Sequence, residues 1–463
     1  MLKAKKAWEA PYIQPHRVGE INKFGKLRAR EKKVSEVFGV SVDELRSKYG
    51  SPLFVSSESK LRENIRKMRR AFETRWGKVV HGWSYKTNYI SAICNILHQE
   101  GSLAEVVSAF EYEKARLLGV PGEKIIFNGP NKGRAILERA IAEGAQIHVD
   151  NLDELSLIER VASGQNKVAK IALRLNFDTT YSEPWSRFGF NIESGQAHQA
   201  AKLAARSKYI KLQGLHSHIG TFILEPRAYA EQVRIMCKFM REIEASEDLS
   251  IDYIDIGGGF PSVNALQGVY LPPEQVVPAI SEYAEAICNM LSAETRYRSH
   301  TGRPLPTLIF ESGRAVVDDS QVLISSVVGR KRLPDGRPAY ILDAGVNLLF
   351  TAYWYNHKVE CTREGGQLFD TVLYGPLCMN IDVVRHSVQL PALERGDSLI
   401  VSPTGAYNNT QWMQFIEYRP NVVLVHEDGS HSVIRQAEDL AYMSAKDCLP
   451  EHLRQIKKGK EKQ

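Results

Sequence analysis

The chain has 463 residues, enough for two to four domains or for one large barrel with a smaller partner domain. Hydrophobic residues make up 43% and charged residues 25%, a folded-protein composition that excludes an intrinsically disordered chain. The 60 Lys and Arg exceed the 54 Asp and Glu by only +6, part of it in tail residues (Lys3, Lys5, Lys6, Lys457, Lys458, Lys460, Lys462). No nucleic-acid partner is therefore indicated, because binding one needs a basic stripe on a folded face.

From residue 52 onward, short β-branched runs alternate with amphipathic helices. Strands are expected at Lys78–Lys86, Leu103–Ser108, Ile125–Asn128, Gln146–Asp150, Val168–Asn176, Leu212–His218, Tyr253–Ile256 and Thr307–Glu311. Helical spacing between them is explicit in Ile90, Ile93, Ile96 and Leu97. Asn151 followed by Glu154 is a capping-box pattern that starts another helix. Eight strand–helix units in about 260 residues match a (β/α)₈ TIM barrel. A doubly wound open sheet competes less well, since no GxGxxG follows the first strand.

After about residue 318 the helical period fades. Strand-like runs with turn signals follow at Val322–Val328, Ala339–Leu342, Val372–Tyr374, Ser398–Val401 and Asn421–His426. The expected architecture is α/β: a barrel over residues 51–317, and a discontinuous all-β domain, barrel- or sandwich-like, from residues 1–50 and 318–463.

No run of about 18 apolar residues occurs, so no membrane span is expected. The first residues, MLKAKKAWEAPYIQPHR, contain no apolar h-region, and no secretory leader is expected. Cys94, Cys237, Cys288, Cys361, Cys378 and Cys448 are widely spaced, with no CxxC and no metal-ligand spacing. A reduced, cytoplasmic protein fits this usage better than a disulfide framework.

Catalytic groups of barrel enzymes sit where the strands end. The expected strand ends carry Lys86, Glu105, Ser108, Asp150, Arg174, His218, Gly257–Gly258–Gly259, Glu311 and Arg314. A lysine amine at a partly desolvated strand end suits Schiff-base chemistry, although most lysines are simply solvated. His216 and His218 are two apart on one strand and share a face. They suit either zinc, with His148 and Asp150 as further ligands, or a ring stacked on a planar cofactor. Three glycines directly after a strand expose backbone N–H groups to a phosphate, with Arg314 as a charged donor, or else form a plain tight turn. Lysine, histidine, phosphate cradle and carboxylate together specify pyridoxal 5'-phosphate better than another cofactor.

Nine segments in order carry a family resemblance: SYKTN, LAEVVSAFEYEKA, IIFNGPNK, SRFGF, GLHSHIGT, YIDIGGGFP, FESGRAVV, GPLCMNID and GAYNNTQWMQF. Through them the chain resembles the barrel-type (fold type III) pyridoxal-phosphate decarboxylases, the group with diaminopimelate and ornithine decarboxylases, from about residue 50 to 435. The resemblance implies that Lys86 forms the Schiff base, His218 stacks on the ring, and Glu311 pairs with the pyridine nitrogen. It implies that Gly257, Gly258, Gly259, Arg314 and Thr221 hold the phosphate and that Tyr407 closes on the cofactor. It further implies a homodimer whose β domains complete shared active sites, with Cys378 reaching across to return a proton to Cα. The expected activity is removal of the α-carboxylate from an amino-acid substrate.

Two departures bear on that substrate. An acidic residue that follows the GPxC cysteine in diaminopimelate decarboxylases is Met379 here, and an arginine position falls near Leu349, beside Tyr353, Trp354 and Tyr355. The expectation from these departures is a specialised amino acid or conjugate of a natural-product or siderophore pathway, and not diaminopimelate. A racemase on the same cofactor and a zinc-dependent barrel hydrolase using His216 and His218 are the alternatives. Glu311 argues against the first, since such racemases place an arginine there. The sparse ligand set argues against the second.

Overall fold

The computed structural model describes residues 34–247, 249–269, 271–364 and 367–454. Eight parallel strands close into a barrel in the order Val79–Ser84, Leu103–Val106, Ile125–Phe127, Gln146–Val149, Ala169–Asn176, Ile210–Ser217, Tyr253–Asp255 and Thr307–Phe310. Closure is made where Leu308, Ile309 and Phe310 pair with Val79, Val80 and His81. All eight expected strands are present, and a helix or helical turn follows each. A two-residue strand, Phe190–Asn191, adds to the edge of Ala169–Asn176.

The outer helices form because their apolar residues recur at helical spacing. Glu58–Glu73 buries Leu61, Ile65, Met68 and Phe72 against the strands. Its first turn is capped by the Ser57 hydroxyl, which accepts from the Lys60 N–H at 3.2 Å. Inside the barrel, Ile126, Ala172, Tyr253 and Ile309 pack as a small apolar layer. Gly214 makes room for it, since a Cβ there would collide with the Tyr253 ring.

The second unit is a nine-stranded sheet system. Its centre is Leu53–Ser57, flanked by Gln321–Arg332 (antiparallel, Val55 opposite Val322) and Val422–Val425 (parallel, Val55 opposite Val423). The expected barrel boundary at residue 51 is therefore corrected. All five residues of Leu53–Ser57 are buried in the β domain, and the barrel unit opens at the helix Glu58–Glu73. Four strands of this sheet were not anticipated: Leu53–Ser57, Lys358–Cys361, Val383–Pro391 and His431–Arg435.

Of the expected N-terminal part of this domain, residues 1–33 lie outside the described residues, as do the lysines of both tails. Residues 34–49 do join the sheet domain. Val37, Val40, Val42 and Leu45 pack on Leu53, Val55, Val322, Ile324 and Ile400. Among the described residues no helix is long and apolar enough to cross a membrane.

Candidate active site

Lys86 sits in the helical turn Tyr85–Thr87, directly after the first barrel strand. Its side chain is 40% exposed at the mouth, while its amine reaches the fully buried Glu105, donating to Oε2 at 3.1 Å and Oε1 at 3.2 Å. Burial, the largest single influence on this amine, lowers its pKa. Glu105, Glu311 and Tyr407 together outweigh it and hold the lysine above its usual range.

Glu105 is the hub of the mouth. It also accepts from the Ser84 hydroxyl and from Asn128 Nδ2 at 2.9 Å. The same Asn128 amide donates to Glu311 Oε1 at 2.6 Å. One amide thus couples the lysine's carboxylate partner to the carboxylate at the end of the eighth strand. Glu311 Oε2 lies 3.6 Å from His216 Nε2. Asp255, on the neighbouring strand, is held well above the usual carboxylate range by burial and then by the Glu311 charge.

His218 follows the strand Ile210–Ser217 and is half-buried. Its Nδ1 accepts the Gly258 N–H at 3.0 Å, which leaves the neutral ring with its proton on Nε2. Burial depresses its pKa well below the usual value, with Lys86 and Arg174 adding to the effect. The triple glycine wraps this ring. Gly257 has φ +66°, and a Cβ on it would stand 2.8 Å from His218 Nδ1. A Cβ on Gly258 would stand 2.5 Å from the Glu311 carbonyl. Only glycine permits so close an approach.

Arg314 caps the opposite side of this loop. Its guanidinium lies over Tyr407 (4.7 Å), Tyr355 (5.1 Å) and Phe222 (5.7 Å). Its buried Nη1 has no hydrogen-bond partner among the described residues. Tyr407 has φ +67° and is anchored by its N–H to the Thr87 carbonyl at 2.8 Å, one residue from Lys86. Thr221 is exposed on the loop between Gly220 and Phe222.

Lys86, Glu311, His218, the glycines, Arg314 and Tyr407 thus gather at one mouth. Cys378 does not join them within a single chain. It is exposed on the 375–382 loop of the sheet domain, a loop fixed by Asp382, which accepts from Val346 and Leu377 N–H at 2.8 and 2.7 Å.

The zinc set expected from the sequence, His216, His218, His148 and Asp150, does not assemble as a whole. His148, His216 and Glu311 converge within 4.8 Å, but His218 and Asp150 are not in that group. His218 Nδ1 is engaged by Gly258, and Asp150 accepts from Gly189 N–H at 3.1 Å. Asn128 and Asp255 are site residues that the sequence reading does not single out. For Asn128 the available signal was its position at the end of a buried strand.

The donor set fits pyridoxal phosphate: an amine on a buried carboxylate, a neutral ring, a backbone cradle that a Cβ would fill, and an unpartnered guanidinium nitrogen. The comparisons agree. Residues 58–318 match the family model "Pyridoxal-dependent decarboxylase, pyridoxal binding domain". A diaminopimelate decarboxylase from Methanocaldococcus jannaschii is 30% identical over 433 residues, covering 90% of this chain and 95% of the relative. One from Bacillus subtilis is 28% identical over 416 residues, covering 87% and 92%. The crystal structure of the M. jannaschii diaminopimelate decarboxylase superposes with a TM-score of 0.82 at 29% identity, covering 90% of this chain and 96% of that one.

These relatives overturn the expectation that diaminopimelate is not the substrate. That expectation rested on two positions read from short motifs, against likeness along some nine-tenths of the chain. In the structure Leu349 is fully buried in the apolar core beside Leu348 and Ala352.

Proposed function

The chain belongs to the pyridoxal-dependent decarboxylases, and we propose that its substrate is diaminopimelate, from which it removes one α-carboxylate to leave lysine. Similarity to diaminopimelate decarboxylases over nine-tenths of the chain supports this substrate. The observation that carries the residue assignment is the continuous path from Lys86 through Glu105 and Asn128 to Glu311.

When bound, pyridoxal phosphate supplies an electron sink for the pair left at Cα as carbon dioxide departs. Lys86 is assigned as the lysine that holds the cofactor aldehyde. Glu105 orients its amine and balances its charge. Glu311 would pair with the ring nitrogen and hold a proton on it, which would strengthen the sink. Asn128 fixes the Glu311 carboxylate, leaving Oε2 toward the barrel interior. His218, neutral and with its ring edge pinned to Gly258, offers a flat face for stacking.

Gly259 offers its backbone N–H to the phosphate, with Arg314 and Thr221 completing the cradle. Gly257 and Gly258, whose N–H groups donate to Asp255 Oδ1 at 2.9 Å and His218 Nδ1 at 3.0 Å, shape it by close approach. Tyr407, packed on Arg314, closes the mouth. Loss of charge from the substrate carboxylate is favoured where the mouth excludes water.

Cys378 is exposed on the sheet domain, which supports assigning it to a second copy's mouth in a homodimer with shared sites. In that arrangement Cys378 of the partner subunit returns the proton to Cα. None of the six cysteines forms a disulfide, which supports a cytoplasmic, reducing compartment.

The test is carbon dioxide release from meso-diaminopimelate by the purified holoenzyme, with lysine identified as the product. Turnover within the usual enzyme range, about 1–10³ s⁻¹, is expected. Release from other amino acids but none from diaminopimelate would overturn the substrate.

A further inference from the structure

The Gly258 hydrogen bond fixes His218 along one axis only. An imidazole tethered at Cβ and hydrogen-bonded at Nδ1 still rocks about the line joining those two points, and a planar ligand stacks only if the ring plane is set. The structure supplies a second constraint from a different loop. The Trp185 ring meets His218 edge-on, with centroids 5.2 Å apart and planes at 63°.

Trp185 is itself held from below. Asn176, at the end of the fifth barrel strand, donates its Nδ2 to the Trp185 carbonyl at 2.9 Å and to the Phe188 carbonyl at 3.1 Å. The Phe188 N–H donates to the Trp185 carbonyl at 3.1 Å. Phe188 is fixed in turn by the Arg174 guanidinium over its ring at 4.2 Å. Ser182 ties the same loop to the Ile219 carbonyl, one residue past His218, at 3.3 Å. Between loop and strand lies a shallow recess lined by Arg174, Asn176, Thr179, Trp185, Phe188 and His218. A recess beside His218 gives the ring space to turn if the tryptophan is removed.

We propose that Trp185 is a positioning residue for the decarboxylation, acting through His218. It sets the plane of the imidazole on which the cofactor ring stacks. This rests on the assignment of His218 as the stacking residue.

The experiment compares Trp185→Ala, Trp185→Phe and His218→Ala holoenzymes by kcat, KM, visible absorbance and circular dichroism of the bound cofactor. Trp185→Ala is expected to keep the cofactor absorbance, since Lys86 is intact. It should lose most of the induced dichroism and lower kcat about tenfold, with a smaller change in KM. Trp185→Phe, which restores an aromatic edge, should recover both signals.

Unchanged dichroism and kcat in Trp185→Ala would overturn the proposal. So would a Phe variant as impaired as Ala, or equal losses of cofactor and thermal stability in both. If His218→Ala also left dichroism and kcat unchanged, the stacking assignment itself would be the one that fails.

Discussion

The barrel and the sheet domain are built on opposite rules. In the barrel each strand pairs with the next in sequence, apart from the closing pair, so every βα unit repeats one local pattern. In the sheet domain the central strand Leu53–Ser57 pairs with strands about 270 and 370 residues away. The barrel carries the mouth network, and the sheet domain carries Cys378 on an exposed loop. Chemistry that depends on a fixed constellation sits on the rigid, locally determined part. The distant part contributes Tyr355 and Tyr407 to the mouth of the same chain, and Cys378, which we assign to a second copy's mouth.

The largest expected effect tests the barrel side. Lys86→Ala should lower decarboxylation by about 10³-fold or more and abolish the visible band of the bound cofactor. Retention of that band would place the anchoring amine elsewhere. Next, Glu311→Gln should cost about 10²–10³-fold in kcat, the usual loss when one preorganised charge partner is removed. A loss confined to KM would mean that Glu311 binds substrate and does not tune the ring.

The sheet side is tested by complementation. Lys86→Ala and Cys378→Ala proteins, each inactive alone, should regain about a quarter of wild-type activity when mixed and re-associated. Random pairing makes half the dimers mixed, each with one intact site. No recovery would put Cys378 outside the shared site.

Leu53→Ala removes a fully buried side chain from the sheet core and should cost about 2–5 kcal/mol in unfolding free energy. The cofactor band should survive, because that strand lies in the other domain. Loss of the band at temperatures where the variant remains folded would show that the two regions are less separate than their topology.

The last effect, acid sensitivity, bears on both regions at once. Burial lowers His81 and His357 from 6.5 to about 4, and His148, His216 and His218 fall well below 6.5. The unfolded chain therefore binds more protons in this window. The contribution of these histidines is full above about pH 6.5 and is lost as pH falls toward 4, by up to about 3 kcal/mol for each of His81 and His357. Chemical denaturation at pH 7 and pH 5 should show the loss. His81→Gln should reduce it.

The sequence by itself determined the barrel, because eight apolar runs separated by helical periods allow little else. It also named Lys86, His218, Glu311 and the triple glycine, since strand ends in a barrel converge. It assigned Leu53–Ser57 to the wrong unit. A boundary drawn where the strand–helix rhythm starts takes in a segment whose partners, some 270 and 370 residues away, no local pattern shows. It missed Val383–Pro391 and His431–Arg435, whose half-exposed pattern gives no continuous apolar run.

Only the tertiary structure decided which groups meet. Asn128 reaches both Glu105 and Glu311 because barrel closure brings strands some 180 residues apart to one mouth. Leu349 lies buried, and Cys378 stays apart on the other domain. Local periodicity fixes what each segment becomes, whereas a hydrogen bond between strand ends depends on the closed circle.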